Sequence, residues 1–298
     1  MKKLTALLVF ILILIVSGCG GDNAKQEVLT VSGKKWTEQY ILPYIIAEYV
    51  KANSDYTVEV KEGLGEVAIL TEALKEGDID LYVEYTGTGL LTVLKEPHDP
   101  SASADEILER VKKGYKDEFN LVWTAPLGFE NTYALAFRDE LKENITARTF
   151  SDVAPLTNEL TFGAPPEFFE REDGYDGLVD TYNFAFKDTT SLDPNIMYQA
   201  VKDGQVDIIP AFTTDGRIAR FNLATLKDDK QYFPPYYAAP IVRQEALDTF
   251  PKLEELLDNL GDQITELEMA EMNAKVDIDG LDPVNVAKQF LQDKGLIQ

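Results

Sequence analysis

The chain of 298 residues contains one cysteine and one histidine. A single Cys excludes an intrachain disulfide and every multi-cysteine metal site. A single His disfavours His-based triads, paired-His zinc motifs and histidine general-base catalysis. Basic residues are scarce as well: 28 Lys and Arg stand against 52 Asp and Glu, for a net charge of −24 and a pI near 4.4. This balance argues against nucleic acid as a partner, because phosphate binding needs a basic surface that releases counterions. Acidic lipid headgroups would repel the surface for the same reason. Phosphate-cradling Gly-x-x-x-x-Gly-Lys-Ser/Thr and Gly-x-Gly-x-x-Gly loops are missing, and so is a Gly-x-Ser-x-Gly nucleophile elbow. His98, in Glu96-Pro-His-Asp-Pro100, reads as an exposed loop residue. Carboxylates are so abundant that Glu84 or Glu167 could be drawn into a glycosidase-type dyad, but nothing singles such a pair out. What is present is a globular composition, 45% hydrophobic and 27% charged, with length for about two domains.

Residues 1–18 read as an export signal. Lys2 and Lys3 form its positive end, and Leu4 to Val16 is apolar except for Thr5. That run is too short to span a hydrocarbon layer of about 30 Å as a lasting helix. It closes on Val16-Ser-Gly-Cys19, which resembles the lipobox of bacterial lipoproteins. The resemblance implies lipidation at Cys19, a polar tether over 19–27, and attachment to the extracytoplasmic face of the cell membrane by two or more acyl chains. The alternative is a lone buried Cys behind an uncleaved signal. No later apolar stretch approaches membrane length.

From residue 28 on, short β-branched or aromatic runs alternate with longer amphipathic ones. Strands are expected at 28–32, 56–60 and 79–82, and helices at 37–51 and 66–75. This order points to an α/β fold with a largely parallel sheet. The second half repeats it, with strands expected at 161–163, 183–186 and 206–210. One stretch occurs twice, 127 positions apart: Ala73-Leu-Lys-Glu-Gly-Asp-Ile-Asp-Leu-Tyr-Val-Glu-Tyr-Thr-Gly-Thr88 and Ala200-Val-Lys-Asp-Gly-Gln-Val-Asp-Ile-Ile-Pro-Ala-Phe-Thr-Thr-Asp215. Each copy reads as a helix, a Gly C-cap (Gly77 or Gly204), an Asp, a strand, and an aromatic followed by Thr. Tyr85 and Phe212 thus fall just past the carboxyl end of a strand, at the edge where open α/β sheets bind ligands. On the repeat alone, both could equally be ordinary strand-end core residues.

Two connecting segments carry Pro or Gly where the chain would change domains. One, at 124–129, contains Pro126 and Gly128; the other, at 233–240, contains Pro234, Pro235 and Pro240. Domain I is therefore expected over 28–125 and 238–298, and domain II over 126–237. Helical patterns at 251–259, 264–275 and 283–294 would pack back on domain I. Two crossing segments suit a hinged clamshell.

Aromatics are plentiful, with 14 Tyr and 15 Phe. Tyr85, Tyr133, Phe212, Tyr236 and Tyr237 sit in turn-like or Pro-rich surroundings. Rings converging on a cleft hold a cation by their negative faces, and a quaternary ammonium suits such a cage because it has no N–H bonds to water to replace. The plainer reading is that these tyrosines edge the core with their hydroxyls in water.

Six segments, in order, carry a family resemblance: Lys34-Lys-Trp-Thr-Glu-Gln39, Glu84-Tyr-Thr-Gly-Thr88, Gly128-Phe-Glu-Asn-Thr-Tyr-Ala134, Phe162-Gly-Ala-Pro-Pro-Glu-Phe-Phe-Glu-Arg-Glu-Asp-Gly174, Thr213-Thr-Asp-Gly-Arg217 and Pro234-Pro-Tyr-Tyr237. Together they resemble the substrate-binding lipoproteins of glycine betaine/carnitine/choline ABC importers. The resemblance implies a two-domain clamshell of the type II periplasmic-binding-protein kind with a two-segment hinge. It also implies a non-catalytic receptor, without cofactor or metal and expected as a monomer, that delivers compatible solutes to a membrane permease. It assigns an aromatic cage to Tyr85, Tyr133, Phe212 and Tyr236, and polar ligands to Lys34, Thr88, Asn131 and Arg171. Phe212 stands where the family pattern often has Tyr, Asn131 where some members have Asp, and Lys35-Trp36 where Asn-Phe is usual. With Thr88 and Asn131 neutral, the pocket shows no obvious carboxylate of its own, which leans towards zwitterions over choline unless an acid such as Glu38 reaches it. Asp215 is expected to cap the helix after it, and Arg217 to serve structure. A surface-anchored two-carboxylate hydrolase, or an amino-acid or polyamine receptor of the same architecture, are the alternatives.

Overall fold

A computed structural model of the protein describes residues 27–298 apart from 98, 100, 142–145 and 172. The expected signal segment, the Cys19 lipidation site and nearly all of the tether lie outside the described residues, as does His98. Among the described residues no helix is long and apolar enough to cross a membrane.

Strand β1 (Val28–Ser32) leads into helix α1 (Thr37–Asn53), followed by β2 (Thr57–Lys61), helix α2 (Val67–Glu76) and β3 (Leu81–Tyr85). After a short helix, Thr86–Thr88, and the wide helical turn Gly89–Val93 comes the helix Ala104–Phe119. That helix starts on a Ser103 capping box with Glu106. Then β4 (Leu121–Trp123) ends the first passage through this lobe. The next strands are β5 (Tyr133–Phe137), β6 (Thr161–Ala164), β7 (Asp188–Ser191), β8 (Ile208–Phe212) and β9 (Ala224–Leu226), before β10 (Ala238–Arg243) returns to the first sheet.

Among the described residues, ten strands form two sheets, ordered β2-β1-β3-β10-β4 and β7-β6-β8-β5-β9. In each, three strands run parallel and the fourth is antiparallel to the third. The antiparallel strand, β10 or β5, is in both cases the first after a crossover. The two crossovers are bonded to each other: the Leu127 N–H donates to the Ala238 carbonyl at 2.9 Å, and the Asn131 N–H to the Tyr236 carbonyl at 3.0 Å. The fold is α/β, two lobes joined by two paired segments.

The first lobe is built around α1, whose apolar residues from Ile41 to Val50 are almost wholly buried. The helices Glu266–Asp277 and Pro283–Asp293 pack on α1 and so close the C-terminal third over this lobe. Burying that much Leu, Ile and Phe contributes roughly 1.5–3 kcal/mol per side chain. The second lobe's core is aromatic, with Phe162 and Phe168 buried and Phe162 against Phe186 and Tyr175.

One expected strand moves. Residues 183–186 form none, because Asn183 takes a left-handed conformation (φ 54°) as the C-cap of the helix Tyr175–Tyr182. Phe184 and Phe186 turn into the core, and pairing starts at Asp188, on the sheet edge. The aromatic signal there was one of packing, not of strand. Tyr85 and Phe212 are each the last residue of a strand, not the residue after it.

Candidate ligand-binding site

A cavity of about 410 Å³ lies between the lobes. All eight residues singled out in the sequence are on its wall: Tyr85, Lys34 and Thr88 from the first lobe, Tyr133, Phe212 and Arg171 from the second, and Asn131 and Tyr236 from the crossovers. Sequence reasoning gave Trp36 no role, and it also lines the cavity.

Five rings run without a break. Tyr85 stacks near Trp36 at 6.2 Å between centroids and 25° between planes, and Trp36 stacks on Phe212 at 5.8 Å and 17°. Phe212 meets Tyr133 at 5.2 Å, and Tyr133 meets Tyr236 edge to face at 5.8 Å and 85°. Trp36 is the link across the lobes, placed by its extended conformation directly before α1. Its signal in the sequence was an indole at a helix start, in the loop after the first strand, where a sheet of this kind opens its ligand edge. Tyr236 packs against Gly87, where a Cβ would come within 2.7 Å of the ring. Phe168 and Phe233 back Tyr133 at 5.3 and 4.8 Å, so its ring is wedged in place.

The polar members come already paired. Lys34 forms a buried ion pair with Glu84, its ammonium 5.2 Å from the Trp36 centroid and 5.1 Å from that of Tyr85. Glu84 also accepts from the Tyr85 N–H at 2.8 Å and the Tyr82 hydroxyl at 3.1 Å. It is wholly buried and off the cavity wall, which leaves no two-carboxylate arrangement with Glu167. Arg171 forks onto Asp173, which also accepts from the Tyr236 hydroxyl. Thr88 closes the short helix Thr86–Thr88. Asn131 donates its amide to Glu38 at 3.1 Å, while its own side-chain oxygen is buried with no hydrogen-bond partner among the described residues.

The absence of a pocket carboxylate is corrected here. Glu66, Glu167 and Glu170 lie on the cavity wall, and burial pushes the Glu66 carboxyl up although Lys34 pulls it down. The lean towards zwitterions lapses with that premise. Glu38 does not line this cavity; it stands behind the Tyr85 and Asn131 side chains. Asp215 accepts from the Arg217 N–H at 2.9 Å and pairs with the Arg217 guanidinium, consistent with structural roles for both.

The family described as the substrate-binding domain of ABC-type glycine betaine transport systems matches residues 27–293. The chain belongs to this family. It is 32% identical over 299 residues to a carnitine transport binding protein of Listeria monocytogenes, covering 98% of this chain and 96% of that one. It is 36% identical to a glycine-betaine-binding protein of Pseudomonas aeruginosa, covering 92% and 90%. An ergothioneine transport permease/binding protein of Helicobacter pylori is 35% identical over 298 residues, and the chain spans about half of its length, 53%. A solved structure described as a glycine betaine/carnitine/choline ABC transporter superposes with a TM-score of 0.77 at 28% identity, covering 91% of this chain and 100% of that one. Its relatives are receptors of transport systems, so this member of the family is a substrate-binding protein and not an enzyme.

Proposed function

We propose that the protein is a lipid-anchored extracytoplasmic receptor that encloses a quaternary ammonium solute (glycine betaine, carnitine or choline) and delivers it to the permease of an ABC importer. The unbroken run of five rings on the cavity wall carries this reading. Such faces stabilise a desolvated cation by about 2 kcal/mol or more each, and a trimethylammonium has no N–H groups left unsatisfied inside them. Arg171, though paired with Asp173, still has guanidinium N–H groups to meet a carboxylate or hydroxyl on the solute's far end. The wall acids Glu66, Glu167 and Glu170 favour a cationic head over a strongly anionic tail. Anchoring rests on the lipobox-like segment ending in Cys19.

Calorimetric titration with glycine betaine, carnitine, choline, ectoine and putrescine tests the reading. Saturable heat with the trimethylammonium solutes and none with putrescine is the expected result. Tyr133→Ala should weaken that binding at least about tenfold, from the cation–π magnitude. Binding of putrescine alone, or an unchanged curve for the variant, would refute the cage. For the anchor, Cys19→Ser should release the protein from cell membranes.

A further inference from the structure

Glu38, in the first turn of α1, is the most heavily hydrogen-bonded carboxylate behind the cavity. It is 2% exposed and accepts four side-chain donors: the Tyr85 hydroxyl at 2.5 Å, Thr214 at 2.6 Å, Asn131 at 3.1 Å and Asn273 at 3.2 Å. Their origins matter. Tyr85 ends β3 of the first lobe, and Asn273 lies on a helix packed against that lobe. Asn131 belongs to a crossover, and Thr214 follows β8 of the second lobe. The Asn273 amide also donates to the Thr214 carbonyl at 3.0 Å. Beside this cluster, Arg217 of the second lobe reaches Asp277 of the first at 3.5 Å, and Gly216 packs so tightly on Ala274 that a Cβ would approach it to 2.5 Å. The seam between the lobes is thus polar at its centre, where Glu38 gathers donors from both lobes.

We propose that Glu38 is the positioning residue that couples closure of the lobes to assembly of the binding site. Two of its donors, Tyr85 and Asn131, belong to the cavity wall. A third, Thr214, arrives only when the second lobe is swung against the first. When the lobes part, Thr214 leaves and a buried carboxylate loses a charge-assisted bond. The same carboxylate orients the Tyr85 ring and the Asn131 amide, so a closed seam and a finished wall are one state. This deepens the receptor reading and rests on it for its purpose, but the coupling itself has a readout without solute. An ionised carboxylate accepts all four donors, whereas an amide in its place turns an N–H₂ towards at least one of them.

The test uses the full chain carrying Cys19→Ser, with spin labels at Glu109→Cys on the first lobe and Asp203→Cys on the second, both exposed positions. Distances are measured by pulsed electron resonance with and without glycine betaine, and solute dissociation is followed by tryptophan fluorescence. The ligand-free protein should populate the short separation of this structure in part. Thr214→Val, which leaves the Tyr85 and Asn131 bonds intact, and Glu38→Gln should both deplete it, and both should speed dissociation at least about tenfold. A purely structural role would lower the melting temperature and leave distances and dissociation rate unchanged; that outcome in both variants overturns the proposal. Absence of the short separation from the ligand-free parent overturns it too. Should no quaternary ammonium bind the parent, the receptor reading fails, while the ligand-free distances still decide for or against the seam.

Discussion

The two lobes repeat one scaffold and differ at the cavity. In each, a helix ends on a glycine in the left-handed region, Gly77 at φ 81° and Gly204 at φ 71°. An Asp follows, whose carboxylate accepts the N–H of the neighbouring parallel strand: Asp80 from Thr30 at 2.7 Å, Asp207 from Thr161 at 2.9 Å. That Asp pairs with an Arg at the end of the antiparallel strand, Arg243 after the second crossover and Arg138 after the first. The guanidinium lies over the C-cap glycine in both lobes. At the other end of these strands the likeness stops. Phe212 faces Tyr133 across its sheet, whereas Tyr85 faces Ala238. The second lobe therefore supplies two rings from adjacent strands, and the first replaces the missing ring with Trp36 from a loop. What the copies share builds the sheet and one cage ring in each lobe, Tyr85 and Phe212; the remaining rings come from what they do not share.

The largest expected contrast lies in the shared part. Asp80 is nearly buried, its side chain 6% exposed, while Asp207 is 22% exposed. Removing one partner of a buried pair costs about 3–5 kcal/mol, and exposed pairs cost far less. Asp80→Ala should thus destabilise by several kcal/mol in urea titration, and Asp207→Ala by roughly 1–2 kcal/mol, mostly from the unpaired Thr161 N–H. Equal losses would mean that the two lobes hold this device with equal force.

Next in size is the cage. Tyr85 is locked by three hydrogen-bond partners, Glu38 and Gln39 through its hydroxyl and Glu84 through its N–H. Phe212 has no hydroxyl, and its N–H takes the Tyr198 oxygen at 2.8 Å. Tyr85→Ala should weaken trimethylammonium binding at least about tenfold, because it removes a ring and frees Asn131 and Glu38 to shift. Phe212→Ala removes a ring alone, and Trp36 can move into part of the gap, so a loss of a few-fold is expected. Calorimetry on both variants measures the difference. A greater loss at Phe212 would place the solute against the second lobe.

Most of the scaffold was legible because its signals are local. Alternating apolar residues mark β1, the Gly-x-x-Asp steps of the repeat mark β3 and β8, and Pro and Gly mark the crossovers. Turn-like surroundings and the repeat pointed to the four rings, the family resemblance joined them to the polar four as one site, and the structure does bring all eight to one cavity. Three things were hidden. Trp36 reads locally as a helix-start residue, and only the closed lobes show it stacked on Phe212. The wall acids Glu66, Glu167 and Glu170 are indistinguishable in sequence from the 52 acids of the chain. The Lys34–Glu84 and Arg171–Asp173 pairs differ in kind: the first joins residues 50 apart and is set only by β1 lying beside β3, while the second is local but drowned in a charge run.

The smallest contrast concerns acid. In the second lobe, Asp152 is fully exposed and closes a capping box; the N–H of Arg148, then Thr149, hold its carboxyl below the ordinary value of 3.8. Its stabilising contribution is present above that value and is lost as pH falls through the folded one. In the first lobe, Glu38 has the opposite sign: burial pushes its carboxyl above 4.5, more strongly than the donors from Thr214, Tyr85, Asn273 and Asn131 pull it down. Its contribution is therefore complete below 4.5 and lost as pH rises through the folded value. In urea titrations run from acid to neutral pH, the advantage of the parent protein over Glu38→Gln should shrink as pH rises, and its advantage over Asp152→Asn should grow. Parallel slopes for the two variants would mean that Glu38 is as well solvated as a surface carboxylate, and the dry seam between the lobes would then be untenable.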